Sequence, residues 1–156
     1  MKDTIEIGRL LRASVTEFVV GCQVSQIDTP ALGTLVQAEL DMHHRVYGLI
    51  YDIHIDDDGL IRQLVTAGSL DENIIADNRL NRNIPLEISV LCVGHRYNDQ
   101  ISHLLPPRPP LSLDVISLCD DQELRQFTRS GQFGYFRHIL RRADLPTEEI
   151  LAAHLN

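Results

Sequence analysis

The first part of the chain contains short stretches in which apolar and polar residues alternate, separated by residues that favour turns. Alternation with a period of two is typical of strands that bury one face. In the clearest stretch, every second residue from Tyr47 to Ile55 is apolar. Strands of this length and spacing favour a sandwich or a small barrel. The predicted strands cover residues 4–10, 16–24, 33–40 and 45–55.

The hydrophobic period then changes from that of a strand to that of a helix. Leu60–Val65 and Glu72–Leu80 carry apolar residues at helical spacing, and Asp71 is placed to cap the second helix. These two helices are predicted to form an insertion over about residues 60–83. Leu86–Val93 is apolar at most positions, which predicts a strand that is buried on both faces.

The last part of the chain is predicted to be helical. Pro106–Pro110 should be an extended connector, because its prolines fix the backbone and disfavour helical geometry in the residues before them. Val115–Cys119 is the last predicted strand. Helices are predicted over residues 120–128 and 133–142, and again from Pro146 onward.

Composition indicates one globular domain with a short appendage. The 156 residues are 44% hydrophobic and 23% charged, so the chain can bury a substantial core. The formal net charge of −8 argues against a nucleic-acid partner, since basic residues dominate such surfaces. No apolar stretch is long enough to cross a bilayer, so we expect a cytoplasmic protein without a membrane partner. Cys22, Cys92 and Cys119 lie in apolar stretches and should be reduced core thiols.

The motifs of several enzyme classes are missing. Lys2 is the only lysine, so the chain has neither a P-loop nor a Schiff-base lysine within its core. The patterns H-E-x-x-H, G-x-S-x-G and G-x-G-x-x-G are also missing. We therefore expect a protein without catalytic activity and without a cofactor.

One polar strand face offers an alternative function. Asp52, His54 and Asp56 fall on the same face of a predicted strand, where two carboxylates and an imidazole could bind a metal ion or serve a small hydrolase. Alternatively, these polar residues are simply the solvent-facing side of a strand whose other face is buried. By contrast, adjacent His43 and His44 would point to opposite faces and would not share one ion.

Aromatic and basic residues near the C-terminus form the candidate partner-binding surface. Four of the eight Phe and Tyr residues of this chain lie there, and aromatic residues anchor protein interfaces. Some of them should pack in the core, and the rest should face a protein partner or a second copy of the chain. The candidate residues are Phe133, Tyr135, Phe136, Arg137 and Arg141.

Four short motifs along the predicted strands resemble those of a known family. They are Ile7-Gly8-Arg9-Leu10, Gly33-Thr34-Leu35-Val36, Tyr47-Gly48-Leu49-Ile50 and Leu105-Pro106-Pro107-Arg108-Pro109-Pro110. Their order and spacing over residues 4–119 resemble the HAS-barrel, the N-terminal β-barrel of HerA-type DNA translocases and of rotary ATP synthase α and β subunits. In those families the barrel precedes a RecA-like ATPase and helps to hold a hexameric ring together. Here helices stand where the P-loop domain should begin, so the resemblance implies assembly or partner docking and not ATP hydrolysis.

The glycines agree with a barrel, because glycine within a strand often marks a bulge or a tight bend, and small barrels need such corners. We predict a mainly β fold with added helices, a small closed six-stranded barrel over residues 1–119, and a helical extension over residues 120–156. The expected function is a non-catalytic interaction or assembly module that forms homo-oligomers or docks onto a larger ATPase or DNA-processing machine. The residues predicted to fill the barrel core are Tyr47, Leu49, Ile53, Ile88 and Val90.

Overall fold

The structure is a computed structural model that describes residues 4–23, 30–55, 59–68, 71–81 and 85–156. These residues form seven strands and five helices. The strands are β1 (Glu6–Ala13), β2 (Glu17–Gln23), β3 (Leu35–Asp41), β4 (His44–Ile55), β5 (Pro85–Tyr97), β6 (Gln100–Ser102) and β7 (Val115–Leu118). The helices are α1 (Gly59–Thr66), α2 (Glu72–Asn81), α3 (Asp121–Arg129), α4 (Phe136–Leu140) and α5 (Thr147–Leu155).

Six of the strands close into an antiparallel barrel. The strand order is β2-β1-β7-β3-β4-β5, and β2 also pairs with β5 from Glu17↔Leu91 to Gln23↔Pro85, which completes the ring. Among the described strands, β6 pairs with the end of β5 alone and lies outside the ring. The predicted fold class, a mainly β protein with a small closed six-stranded barrel and added helices, is therefore confirmed.

Irregularities in the long strands let the sheet curve into a barrel. The pairing of β4 with β5 shifts between Tyr47 and Gly48 and again between Ile50 and Asp52. Such bulges bend a strand and increase its twist. Gly48 has a packing role as well, because a Cβ there would overlap Cγ1 of Val90 inside the barrel.

The barrel interior is one apolar core to which all six barrel strands contribute. Its buried members are Ile7, Leu10, Phe18, Val20, Val36, Ala38, Val46, Ile50, Ile88, Val90, Cys92 and Ile116. Ile88 and Val90 therefore fill the barrel as predicted, and Ile53 packs against this core from a partly buried position. Tyr47 and Leu49 do not belong to this core, and that part of the prediction is wrong.

A second core lies between the outer face of the barrel and the helical extension. Tyr47 and Leu49 belong to it because they alternate with Val46 and Ile50, which face the interior. Both faces are consequently buried along residues 46–50 of β4 and along residues 88–93 of β5, as predicted for β5. The buried members of this second core are Leu35, Tyr47, Leu49, Leu91, Val93, Phe127, Tyr135, Ile139 and Ile150.

Local signals explain most helix boundaries. Asp120 caps α3 by accepting a hydrogen bond from the backbone N–H of Glu123 at 2.8 Å, and Asp71 caps α2 by accepting one from Asn73 at 3.1 Å. Helix α4 begins later than predicted, because Gln132 and Phe133 have left-handed backbone geometry. Asp56, the last member of the candidate strand face, lies outside the described residues.

Candidate functional site

The five candidate residues lie in the α3–α4 loop, in α4 and at Arg141 directly after α4, but they are not all exposed. Phe133 is 49% exposed, and Arg141 is exposed as well. Phe136 and Arg137 are half-buried. Tyr135 is fully buried in the second core, so its assignment to a partner-facing surface is wrong.

The loop is anchored to the barrel by His103, which follows β6. The backbone N–H of Tyr135 donates to Nδ1 of His103 at 3.2 Å, so Nε2 carries the ring hydrogen and donates to the carbonyl of Phe127 at 2.7 Å. The carbonyl of His103 accepts hydrogen bonds from Nη2 of Arg137 at 2.7 Å and from Nε2 of His138 at 2.6 Å. One buried histidine thus fixes the end of α3, the loop and the start of α4.

Two consecutive residues of this loop have an unusual backbone conformation. Gln132 and Phe133 have φ of 50° and 60°, the left-handed region in which a side chain meets its own backbone. For a bulky residue this is a genuine outlier, and such strain costs about 1–3 kcal/mol. The surrounding hydrogen bonds therefore hold Phe133 in a conformation that it would otherwise leave.

The last helix is held to the barrel by a chain of two hydrogen bonds. The hydroxyl of Tyr135 donates to Nε2 of His154 at 2.6 Å, and Nδ1 of His154 donates to the carbonyl of Gly33 at 2.9 Å. Burial raises the pKa of Tyr135 to about 12 and lowers the pKa of His154, so both groups are neutral at pH 7. Gly33 has φ of 82°, and a Cβ there would lie 2.6 Å from the backbone nitrogen of His154.

A buried carboxylate joins α3 to the barrel wall. Glu123 is 8% exposed, and its Oε1 accepts hydrogen bonds from the hydroxyl of Tyr47 at 2.7 Å and from Nη1 of Arg45 at 3.0 Å. Arg96 lies 3.7 Å from the same oxygen and donates to Gln126 at 2.8 Å. A cleft of about 940 Å³ opens beside this group, but Arg45 and Glu123 on its wall already pair with each other.

The alternative strand-face site does not assemble a metal centre within the described residues. His54 lies 3.6 Å from Asp52 and 3.2 Å from Glu87, and Glu87 also pairs with Arg12 at 3.2 Å. Arg12, through its hydrogen bonds to the carboxylate, lowers the pKa of Glu87. Across the part of the chain that the structure describes, no three His, Cys, Asp or Glu side chains are grouped to hold an ion.

Two further groups were candidates for chemistry. The rings of His44 and His95 lie 5.5 Å apart, and Nε2 of His44 and Nδ1 of His95 are buried and have no hydrogen-bond partner among the described residues. Sequence reasoning missed this pair because the two histidines lie on different strands. All three cysteines are free thiols, and burial raises the pKa of Cys22, of Cys92 (to about 12) and of Cys119, which disfavours the reactive thiolate.

The site and the fold together define a β-barrel whose helical extension is fixed to its outer wall. Neither a scan against protein-family models nor a search of the curated proteins finds a match to this chain. Among the described residues, no helix has both the length and the apolar character needed to cross a membrane.

Proposed function

We propose that this chain is a non-catalytic interaction and assembly module built on a HAS-type barrel. The barrel serves as a scaffold, and the α3–α4 loop with α4 forms the surface that binds a second copy of the chain or a larger machine. The packing supports these two roles. The barrel interior is filled with side chains, and the extension covers one side of the barrel wall.

The observation that carries the proposal is the strained and exposed Phe133. The ring of Phe133 contacts Phe136, with 5.6 Å between ring centroids, but about half of the side chain stays exposed, and the backbone accepts a left-handed conformation to present it. Strain of this kind persists where the surroundings impose it, and it concentrates at functional sites. Leu140, at the end of α4, is also largely exposed, which adds apolar area to the extension.

The two histidines that hold the extension to the barrel support a structural role. Both ring nitrogens of His103 and of His154 are engaged in hydrogen bonds to backbone groups or to Tyr135. A general base must have a lone pair available to a substrate proton. The nitrogens of these two side chains are instead used to hold the loop and the last helix in place.

The test compares two substitutions that relieve the same kind of backbone strain. Phe133→Gly removes the aromatic side chain and allows the left-handed conformation without penalty. Leu113→Gly is the matched control, because Leu113 has φ of 73° and is exposed, but it precedes β7 on the barrel. Molar mass is measured by light scattering over a range of protein concentrations, and unfolding by urea is measured for each variant.

We expect Phe133→Gly to stay folded, because the relief of backbone strain offsets part of the loss of the ring contact with Phe136, and to have the molar mass of a monomer. Leu113→Gly should retain the mass of the unsubstituted chain. An unsubstituted chain that is monomeric at every concentration would contradict self-assembly and leave docking onto another protein. Loss of assembly only in Leu113→Gly would place the interface on the barrel.

The Asp52, His54 and Asp56 alternative is the weaker proposal, because Arg12 and His54 both engage Glu87 beside it. Metal analysis of protein purified without added metal tests it directly. A stoichiometric ion that is lost in His54→Gln would favour the alternative.

A further inference from the structure

Positive charge is concentrated in one segment of an acidic chain. The chain contains 14 lysine and arginine residues and 22 acids. Five of the arginines and none of the acids fall in residues 125–142, which run from α3 through the loop to the end of α4. This segment also contains the strained Phe133.

The arginines of this segment differ from those of the barrel in how they are paired. Each described barrel arginine lies within 4 Å of a carboxylate: Arg9 with Glu6, Arg12 with Glu87, Arg45 and Arg96 with Glu123, and Arg108 with Asp41. In the segment, Arg142 pairs with Glu17 and Asp144. No carboxylate among the described residues pairs with Arg125, Arg129, Arg137 or Arg141.

These four arginines belong to the helices on either side of the strained loop, with Arg141 directly after α4. Arg125 and Arg129 are one turn apart on α3, and Arg137 and Arg141 are one turn apart at α4, so each pair shares a helix face. Nη1 of Arg137 lies 3.8 Å from the Cβ position of Gly134, which places this guanidinium beside the loop that carries Phe133. Arg137 uses Nη2 for the carbonyl of His103 and retains donors for a ligand.

We infer that Arg125, Arg129, Arg137, Arg141 and Phe133 form one surface, the arginine surface, and that it binds an acidic protein segment that carries an apolar side chain. The inference rests on the proposed function and names the chemistry of its partner. Guanidinium groups form bidentate hydrogen bonds with carboxylates, and an exposed aromatic ring offers an apolar contact at the same place. Charge complementarity therefore selects the partner.

A protein segment fits this surface better than a nucleic acid does. The formal net charge of the chain is −8 although the segment is basic, so the rest of the surface is strongly acidic. A nucleic acid that extends beyond the four arginines would meet repulsion from the barrel, whereas a short acidic segment would contact only the arginine surface.

The test measures binding of a fluorescent peptide made of Asp and Glu around one Phe. Two variants remove two charges each from the surface, Arg137→Gln with Arg141→Gln and Arg125→Gln with Arg129→Gln. The matched control is Arg9→Gln with Arg108→Gln, which removes the same charge from paired barrel arginines. Two further ligands are compared with the acidic peptide. One is a peptide in which Asn and Gln replace the acids, and the other is a single-stranded oligonucleotide of similar length.

We expect binding that weakens as salt rises, and binding that is roughly tenfold weaker in each surface variant, since two exposed ion pairs together are worth about 1.4 kcal/mol. The barrel control should bind like the unsubstituted chain. Circular dichroism and thermal unfolding identify a variant that fails to fold, and the other variant then decides.

Other outcomes would overturn the inference. A neutral peptide that binds as tightly as the acidic one does, and that loses this binding in Phe133→Gly, would support the docking surface of the proposed function but reject a preference for acidic residues. Tighter binding of the oligonucleotide would assign the arginines to phosphate. Failure of every peptide to bind would reject an acidic partner, whereas the proposed function is decided separately by the molar-mass measurement.

Discussion

The hydroxyl of Tyr47 donates a hydrogen bond to Oε1 of Glu123 at 2.7 Å, and this bond joins the outer wall of the barrel to α3. Tyr47 is fully buried, and burial raises its pKa, so the hydroxyl keeps its proton as the donor. Its ring also packs on Phe127 with 4.7 Å between ring centroids. The barrel and the extension therefore share both a core and a polar anchor, and we expect them to unfold together.

Tyr47→Phe tests the polar part of this anchor. The substitution keeps the ring in place and removes the hydroxyl. Because hydrogen bonds to charged groups contribute about 1.5–3 kcal/mol, we expect the free energy of unfolding in urea to fall by about that amount. Tyr97→Phe is the control, since Tyr97 is largely exposed and should tolerate the change. An equal effect of the two substitutions would show that Arg45 alone satisfies Glu123.

The two apolar cores predict additive effects of two substitutions. Leu49 faces the helices and Ile88 faces the barrel interior, and each is fully buried. Each substitution by alanine should lower the free energy of unfolding by about 2–5 kcal/mol. Because the side chains lie on opposite faces of the wall, the double substitution should match the sum within about 0.5 kcal/mol. A coupling energy well above this value would show that the two cores are not independent.

Gly131→Ala should destabilise the loop anchor. A Cβ at this position would lie 2.6 Å from Nδ1 of His103, whose ring is held in place by hydrogen bonds on both nitrogens. Overpacking at such a site costs about 1–3 kcal/mol, so the thermal midpoint should fall. Gly59→Ala is the control because, apart from its chain neighbours and the backbone of α1, no atom of the described residues lies within 4 Å of its Cβ position. Equal midpoints for the two variants would contradict the anchor.

Stability should fall as the pH is lowered through the range in which histidines titrate. Burial lowers the pKa of five histidines: His44, His95, His103, His138 and His154. The unfolded chain then binds more protons than the folded chain. Their contribution is fully present above the ordinary histidine pKa of about 6.5 and is lost as the pH falls from there toward the folded-state values.

His103 should account for part of this dependence, because a proton on Nδ1 would displace the hydrogen bond from the N–H of Tyr135. Urea unfolding at about pH 7.5 and about pH 5.5, on either side of the ordinary pKa, measures the change in stability. This difference in stability between the two pH values should be smaller in His103→Asn than in the unsubstituted chain, however much the substitution lowers stability at both pH values. His43 is exposed, so His43→Asn is the control and should show the same difference in stability between the two pH values as the unsubstituted chain. If His103→Asn also showed that same difference, His103 would not contribute to the pH dependence.

The strands of the barrel could be predicted because alternation is a local property of the sequence. On β4, Tyr47, Leu49 and Tyr51 do share a face, but the pattern could not tell which face looks into the barrel. Both faces of this strand are partly apolar. Which of them faces the barrel interior depends on where the extension packs, and the extension is distant in the sequence. Strand β6 was missed because Gln100–Ser102 is short and mostly polar.

The sequence could predict where the candidate surface lies, but not which of its residues are exposed or unpaired. The aromatic residues point to the α3–α4 loop, whereas the burial of Tyr135 follows from its contacts with His103 and His154. The distinction between paired and unpaired arginines also depends on distant partners. Arg12 and Glu87, for example, are neighbours only because β2 lies between β1 and β5 in the closed sheet.

The pairing of β1 with β7 has a consequence for how the barrel forms. The first strand of the chain is hydrogen-bonded to the last, with Arg9 opposite Val115. During synthesis β1 can pair with β2, but its other edge stays open until nearly the whole barrel sequence has emerged. Non-local pairing of this kind slows folding and leaves strand edges available to other chains. We expect refolding in stopped-flow experiments to be slow for a domain of this size, and newly made chains to depend on protection from one another until the last strand arrives.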